Sequence, residues 1–425
     1  MESNSFMQSV HIAQAWRRSR KNSWKRPEGS GARATACLLA LLTGAALALT
    51  ACSSPSSAPG SPPGGIEAGQ SPLPTVAPTR LPAKKPAAPP GVSAYTVRSN
   101  VILGPDRKPF VPYGITIIGL AASKWQSSFA WDEEQIEAIA RYWHGNTVRI
   151  QVAPPDLFDA SPYNKQYLAA VEEAVATAQD FGLNVILSAQ YERTTNQAMP
   201  NAVTARFWQL IAATYKADPG VWFDLFNEPA LVPVPADNPQ DWDIWQDGGH
   251  GFVGMQTLVD VVRATGARNV VLAEGLEKAR TLAGLPGHWL TGGNVAYAVH
   301  PYFAGPYWST PQAWEANWGD LTGTVPVVAD EWGEFQTTGG SCVDKAPALV
   351  RYFLSYLSDR QVGLVAWSLL PGVLIRGNNL DDPTAFNPGV AWTCRPGNSG
   401  PRAQGAGQAV RDYFFTHSVP VSAIT

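Results

Sequence analysis

Two glutamates in this chain each close a short apolar run. Val221 to Phe226 leads into Asn227-Glu228-Pro229, and Pro326 to Asp330 leads into Glu331-Trp332-Gly333. If both runs are strands, each delivers one carboxyl group at its C-terminal end. Two carboxyls in one cleft suit acid-assisted cleavage of a glycosidic bond: one protonates the leaving oxygen, while the other attacks the sugar or activates water. Taken singly, each glutamate also reads as a surface salt-bridge residue; the ordered pair carries the chemistry. Glu334 competes with Glu331, but it lies in the loop beyond the apolar run.

The elements around the pair follow a regular rhythm. Tyr95 to Pro112 reads as a hairpin turning at Gly104-Pro105-Asp106. Strand patterns follow at Tyr113–Ile118, Thr147–Val152, Asn184–Ala189, Val221–Phe226, Val270–Ala273, Val295–Val299, Val327–Ala329 and Leu364–Trp367. Helical spacing marks Trp131–Trp143, Tyr167–Phe181, Val203–Ala217, Met255–Thr265 and Ala346–Asp359. Eight strands alternating with helices predict an α/β chain folded as a (β/α)8 TIM barrel, with active residues at the C-terminal strand ends. The rival, an open doubly wound sheet, lacks a Gly-rich fingerprint after the first strand. Polar residues collect at the expected end: Arg149 on the second strand, Gln190, Tyr191 and Glu192 after the third, Asn227 and Glu228 after the fourth, His300 and Tyr302 after the sixth, Glu331 after the seventh, and Trp367 on the eighth.

In this order the segments Asn146-Thr147-Val148-Arg149, Phe226-Asn227-Glu228-Pro229, His300-Pro301-Tyr302, Asp330-Glu331-Trp332-Gly333 and Ala366-Trp367-Ser368 resemble glycoside hydrolase family 5, the cellulase-type family, over roughly Tyr95 to Phe415. The resemblance implies cofactor-free, retaining cleavage of β-linked glucans, mannans or related polymers. Glu228 would be the acid and then the base, and Glu331 the nucleophile. Arg149 would hold Glu331 and depress its pKa. Asn227 would bond the sugar 2-hydroxyl, Tyr302 would donate to Glu331, and His300 would contact the sugar or orient Glu228. Trp367 would floor the subsite beside the cut. A structural reading stands beside several of these: a cap for Asn227, a buried ion pair for Arg149, a satisfied core histidine for His300 and a core ring for Trp367. One position departs from the family. Many members carry a histidine after the third strand where this chain has Gln190, which cannot charge, and this bears on substrate choice.

Composition agrees with a sugar-handling enzyme. The chain has 425 residues, 45% of them hydrophobic and only 15% charged, with 16 Trp. Such rings serve as stacking platforms for sugars, although core filling explains many of them. The loop from Ala230 to Gly251, with Trp242, Asp243, Trp245, Gln246, Asp247 and His250, and the loop holding Trp308, Trp314 and Trp318 are expected to line subsites through two or three of these residues. Net charge is −3, and it becomes −8 without the first 51 residues, which hold seven basic and two acidic groups. A body that acidic is a poor nucleic-acid binder and suits a neutral polysaccharide. No His-Glu-x-x-His, Gly-x-Ser-x-Gly or phosphate loop occurs, so neither metal nor cofactor is expected.

Residues 1–52 read as an export signal: Arg17 to Arg33 is basic, Cys37 to Ala51 is apolar, and Leu49-Thr50-Ala51-Cys52 matches a bacterial lipobox with Cys52 as the acylated residue. The alternative is an uncleaved anchor; twin-arginine export is disfavoured because Arg17-Arg18 lies too far from the apolar run. Either way the body, 93–420, would sit outside the cytoplasm as a tethered monomer, behind a mobile Pro/Ser/Ala/Gly-rich spacer at 53–92. An oxidising compartment permits Cys342 and Cys394 to pair; the alternative is two free buried thiols. The leading expectation is an endo-acting β-1,4-glucan hydrolase. The alternatives are a β-mannanase or exo-acting β-glycosidase on the same barrel and, from a different class, a surface carbohydrate-binding protein without turnover.

Overall fold

The structure is a computed structural model that describes residues 95–122, 131–190, 198–231, 239–303, 308–333, 346–370, 373–376, 382–386 and 406–418. The expectations for 1–52 with Cys52, for 53–92, and for Cys342, Cys394, Tyr191, Glu192 and Glu334 lie outside those residues.

The chain enters through a small antiparallel hairpin, β1 (Thr96–Arg98) and β2 (Val101–Leu103). It turns at Ser99-Asn100, with Ser99 left-handed at φ 51°, rather than at Gly104-Pro105-Asp106. The latter residues make a second turn, closed by the Arg107 N–H on the Gly104 carbonyl, which returns the chain to a bridge between Leu103 and Pro109. The sequence reading places a turn only at Gly104-Pro105-Asp106, because Ser99-Asn100 carries no glycine or proline to mark it.

The next strands are β3 (Tyr113–Ile117), β4 (Thr147–Val152), β5 (Asn184–Ala189) and β6 (Val221–Asp224). A two-residue ribbon follows, β7 (Gly248–Gly249) with β8 (Phe252–Val253). Then come β9 (Val271–Glu274), β10 (Val295–Val299), β11 (Val327–Trp332) and β12 (Gly363–Ala366). Strands β3, β4, β5, β6, β9, β10, β11 and β12 pair in parallel in that order, and β12 closes on β3. The fold is therefore the expected (β/α)8 barrel.

Helices between the strands start where the sequence offers caps. Asp132 accepts from the Gln135 N–H at the head of Glu133–Arg141, and two acids in the first turn with Arg141 in the last suit the helix dipole. Asn201 and Thr204 form a reciprocal capping box at the head of Ala202–Tyr215. The supposed loop after the fourth barrel strand contains a helix, Pro239–Asp247, that packs Trp242 and Trp245 inward with almost no exposure. Trp314 and Trp318 are buried too, so these four rings build the core instead of lining subsites. Trp308 remains half-buried.

Two apolar layers result. The larger lies between strands and helices. The smaller is inside the barrel, where Ile186, Trp222, Leu272, Ala296, Ala298, Val328 and Val365 occupy alternate strand positions and Ile102 of the hairpin packs beneath them. Tyr95, Phe110 and Trp222 meet edge-to-face, with centroids 4.9 to 5.6 Å apart, and plug the floor.

Candidate active site

One step further along the same strands the interior turns from apolar to charged. Arg149 on β4 is the hub and is fully buried. Its Nη1 donates to Glu331 Oε2 at 2.8 Å. Its Nη2 lies among Asp224 Oδ2 at 2.8 Å, Asn227 Oδ1 at 2.7 Å, Ser188 Oγ at 2.9 Å and Glu274 Oε1 at 3.0 Å. Asp330 Oδ2 lies 3.6 Å from Nε. Burial alone would weaken this cation, but Asp224, Asp330, Glu331 and Glu274 outweigh it and hold its pKa well above the ordinary guanidinium value.

Strict alternation would send Asp330 and Glu331 to opposite faces of β11. The register shows why it does not. Ala329 pairs with Leu364, yet Trp332 pairs with Ala366, so β11 carries one residue more than β12 in this interval. A bulge of this kind re-aims side chains, and it lets both consecutive acids face Arg149.

Glu331 is gripped on both oxygens. Oε2 takes Arg149 and, at 3.3 Å, Gln151 Nε2; Oε1 accepts from the Tyr302 hydroxyl at 2.8 Å. Burial nonetheless raises its pKa from the ordinary carboxylate value, against the pull of His300 and Arg149 and with help from Glu228. Arg149 pulls the Glu331 pKa down, but burial outweighs it, so the net depression anticipated from the sequence does not appear. Burial and the Glu331 charge likewise push the Tyr302 phenol well up, so it stays a donor.

Glu228 follows β6 with left-handed backbone, φ 54°. Its Oε1 lies 3.3 Å from His300 Nδ1, and its Oε2 3.8 Å from the Lys278 ammonium. Its side chain is 17% exposed against 8% for Glu331, so both carboxyls border the open end of the barrel. Polar atoms of Glu228, His300 and Glu331 all lie within 4.8 Å of one another. His300 is fully buried and faces Glu228 on one nitrogen, with Glu274 Oε1 at 3.2 Å and Asp330 Oδ1 at 3.4 Å from the other. Of its two anticipated roles, the geometry supports orienting Glu228. Burial opposes its charge, but Glu274, Glu331, Asp330 and Glu228 raise its pKa well above the imidazole value.

Asn227 is buried with its carbonyl oxygen on Arg149, and its N–H donates to the Ala189 carbonyl of β5. Gln190 and Trp367 directly follow β5 and β12 and are 2% and 6% exposed; the Trp367-Ser368 peptide is cis. The structure thus gathers Glu228, Glu331, Arg149, Asn227, His300 and Tyr302 into one contact network and places Gln190 and Trp367 on neighbouring strand ends.

Sequence reasoning missed Asp224, Glu274, Asp330, Ser188, Gln151 and Lys278. A signal existed for the acids: each interrupts or ends an apolar run at a position in step with the inward-facing ones. The expected fifth strand stopped at Ala273, one residue short of Glu274. Burial raises the pKa of both Asp224 and Glu274, that of Glu274 well above the carboxylate range, with Asp224 adding to the shift.

Among the described residues two trios could hold a metal by spacing, Glu228-His300-Glu331 and Glu274-His300-Asp330. Both depend on His300, the ring that lies between Glu228 and Glu274. The Arg149 guanidinium already supplies positive charge to Glu331 and Glu274.

Comparison with known proteins places this geometry. The family described as cellulase (glycosyl hydrolase family 5) matches residues 106–372. A curated relative, endoglucanase A of Evansella cellulosilytica, is 23% identical over 201 residues, which is 47% of this chain and 38% of that protein, so the chain spans well under half of that relative's length. Among solved structures, a β-glucanase from Saccharophagus degradans in complex with cellotetraose superposes with a TM-score of 0.57 at 21% identity, covering 77% of this chain and 94% of that one. An endoglucanase catalytic domain from Thermobifida fusca gives 0.55 at 16% identity, covering 76% and 98%. At these identities the structural likeness speaks for the fold.

Proposed function

Since the chain belongs to glycosyl hydrolase family 5, a family of glycosidases, we propose that it is a retaining, endo-acting hydrolase of a β-1,4-glucan-type polysaccharide. The observation that carries the reading is the approach of Glu228 and Glu331, whose nearest oxygens are within 4.8 Å. Retaining enzymes hold their two carboxyls about 5–5.5 Å apart, whereas inverting ones leave room for a water.

In the first step Glu228 gives its proton to the glycosidic oxygen as that bond breaks, and a Glu331 oxygen bonds to the anomeric carbon. Arg149, Gln151 and Tyr302 fix the nucleophile's plane, so little reorientation is needed on attack. In the second step Glu228, now a carboxylate, takes a proton from water while the water oxygen displaces Glu331 from the sugar. Two inversions give retention. The Asn227 amide group is assigned to the sugar 2-hydroxyl, Gln190 to a neighbouring hydroxyl, and the Trp367 ring to the floor of the subsite. Gln190 keeps a second substrate in view, a β-mannan on the same barrel, because a neutral amide replaces the family's histidine beside the cut.

The test is hydrolysis of a panel of soluble β-glucans, mannan and xylan by the chain, beside Glu228→Gln and Glu331→Gln. Activity on one polymer, lost in both variants, names the substrate and the pair together. Binding without turnover on any polymer would overturn the catalytic reading in favour of a carbohydrate-binding protein.

The same proposal places the protein outside the cytoplasm, tethered through lipid on Cys52. Cys52→Ser should release it from the membrane fraction, and unchanged fractionation would count against the anchor. A Cys342–Cys394 disulfide should block both thiols from alkylation until a reductant is added; labelling without reductant would exclude it.

A further inference from the structure

Glu228 and the chain around it are held in a conformation that a glutamate does not adopt unaided. A left-handed backbone at a non-glycine residue is strained and persists only where the surroundings over-determine it. The Glu228 N–H donates to Glu274 Oε2 at 2.6 Å. The Lys278 N–H donates to the next carbonyl, that of Pro229, at 3.0 Å, and the His300 N–H donates to the Ala279 carbonyl at 2.7 Å. Between these bonds Glu277, Lys278 and Ala279 are themselves left-handed, at φ 54°, 60° and 57°. Trp245 Nε1 donates to the Glu274 carbonyl at 2.8 Å and holds this segment from behind. Glu274 to Ala279 is therefore a splint bonded to the backbone of both Glu228 and His300. The Glu274 side chain closes a second route to the same group: its Oε1 lies 3.2 Å from His300 Nε2, and His300 Nδ1 lies 3.3 Å from Glu228 Oε1.

Resting on the reading of Glu228 as acid/base, we propose that Glu274 is a positioning residue for it, acting at once through the Glu228 amide and through His300. Asp224 and Asp330 share the Arg149 guanidinium with Glu274, which adds the bond to the Glu228 amide. Its effect falls on proton delivery to the leaving oxygen and on proton removal from water, and hardly on nucleophilic attack by Glu331.

The experiment compares Glu274→Gln with the unmodified chain on two substrates, the polymer it hydrolyses and a dinitrophenyl β-glycoside of the same sugar. The polymer's alkoxide leaving group needs a proton, whereas dinitrophenolate leaves without one. The expected result is a fall in kcat/KM on the polymer of about 10-fold or more, within the ~10²–10⁴-fold that general acid–base help supplies in all, with kcat/KM on the aryl glycoside nearly unchanged. Azide should then speed aryl glycoside turnover in the variant, because it attacks the glycosyl-enzyme without a base, forming a glycosyl azide and freeing Glu331. Equal losses on both substrates, or no loss on either, would overturn the proposal. Glu274→Asp, which keeps the charge but draws it back by one methylene, should show the same leaving-group dependence and stands in if Glu274→Gln does not fold. Glu331→Gln run alongside separates the two readings: if it still turns over the aryl glycoside, the assignment of the site fails; if it is dead and Glu274→Gln shows no leaving-group dependence, only the role of Glu274 fails.

Discussion

The floor and the mouth of the barrel interior obey one alternation and hold opposite chemistry. At the floor, Ile186, Trp222, Leu272, Ala296, Ala298, Val328 and Val365 pack on one another and on the hairpin. One inward position higher, the same strands offer Ser188, Asp224, Glu274, His300 and Asp330 around Arg149. Apolar burial at the floor stabilises the fold at roughly 25 cal/mol per Å². At the mouth, five carboxyls (Glu228, Glu331, Asp224, Glu274 and Asp330) crowd two buried cations, Arg149 and His300, and desolvation can exceed the Coulombic gain. Left-handed residues gather there as well, at Glu228 and at Glu277 to Ala279. The lower layer thus carries stability, and the upper layer spends part of it on holding charges in place.

Exchanging groups between the two roles should break that division in opposite ways. Glu331→Gln should lower kcat/KM by at least ~10³-fold, because the nucleophile itself is lost, while the thermal midpoint does not fall, since the change removes one of an excess of buried acids. A variant that unfolds early would show that the mouth also carries stability. The reverse profile is expected of Trp222→Ala, which empties the floor at a cost of about 3–5 kcal/mol in chemical denaturation yet leaves kcat/KM of the folded fraction unchanged; lost activity at full folding would contradict it.

A smaller effect sharpens the picture of the mouth. The Tyr302 hydroxyl lowers the Glu331 pKa through its hydrogen bond. Tyr302→Phe should therefore move the acid limb of the kcat/KM–pH profile to higher pH, by an interaction of about 1.5–3 kcal/mol for a bond to a charged group. An acid limb that stays put would detach Tyr302 from the nucleophile.

The gentlest test is pH alone. Burial raises the pKa of Glu274, Asp224 and Glu331, and Glu274 together with Glu331 overcomes burial to raise that of His300. In each case the folded state binds the proton more tightly than the unfolded chain. The stabilisation linked to these protons is complete below the unfolded values, about 4 for the carboxyls and 6.5 for the imidazole, and is lost as pH rises through the folded ones. The thermal midpoint should decline from mildly acidic to alkaline pH, and Glu274→Gln should flatten the slope. A midpoint that climbs over this range would invert the assignment.

Much of this was legible from residue types. The apolar runs mark eight strands to within about one residue at most ends, and Glu228, Glu331, Arg149, His300 and Tyr302 stand out by strand-end position. What escaped has a common cause. Glu274 and Asp224 looked like the edge or an interruption of an apolar run, because a single sequence does not say that the inward positions of separate strands meet at one height. Trp242, Trp245, Trp314 and Trp318 stand among the cleft candidates because loop composition does not reveal rings packed into the core. The hairpin turn escaped because Ser99 adopts a left-handed conformation that its residue type does not announce.

Apolar runs and the strand-to-helix rhythm suffice for the barrel, for the end of it that carries chemistry and for the two carboxyls at issue, since both are local properties of the chain. Glu331 comes to face inward beside Asp330 through one extra residue in β11 measured against β12, and Glu228 is held through bonds from a segment 46 residues away; neither can be read locally. Register between strands and contacts across the barrel are relations between distant parts of the chain, and they come into being when the sheet closes.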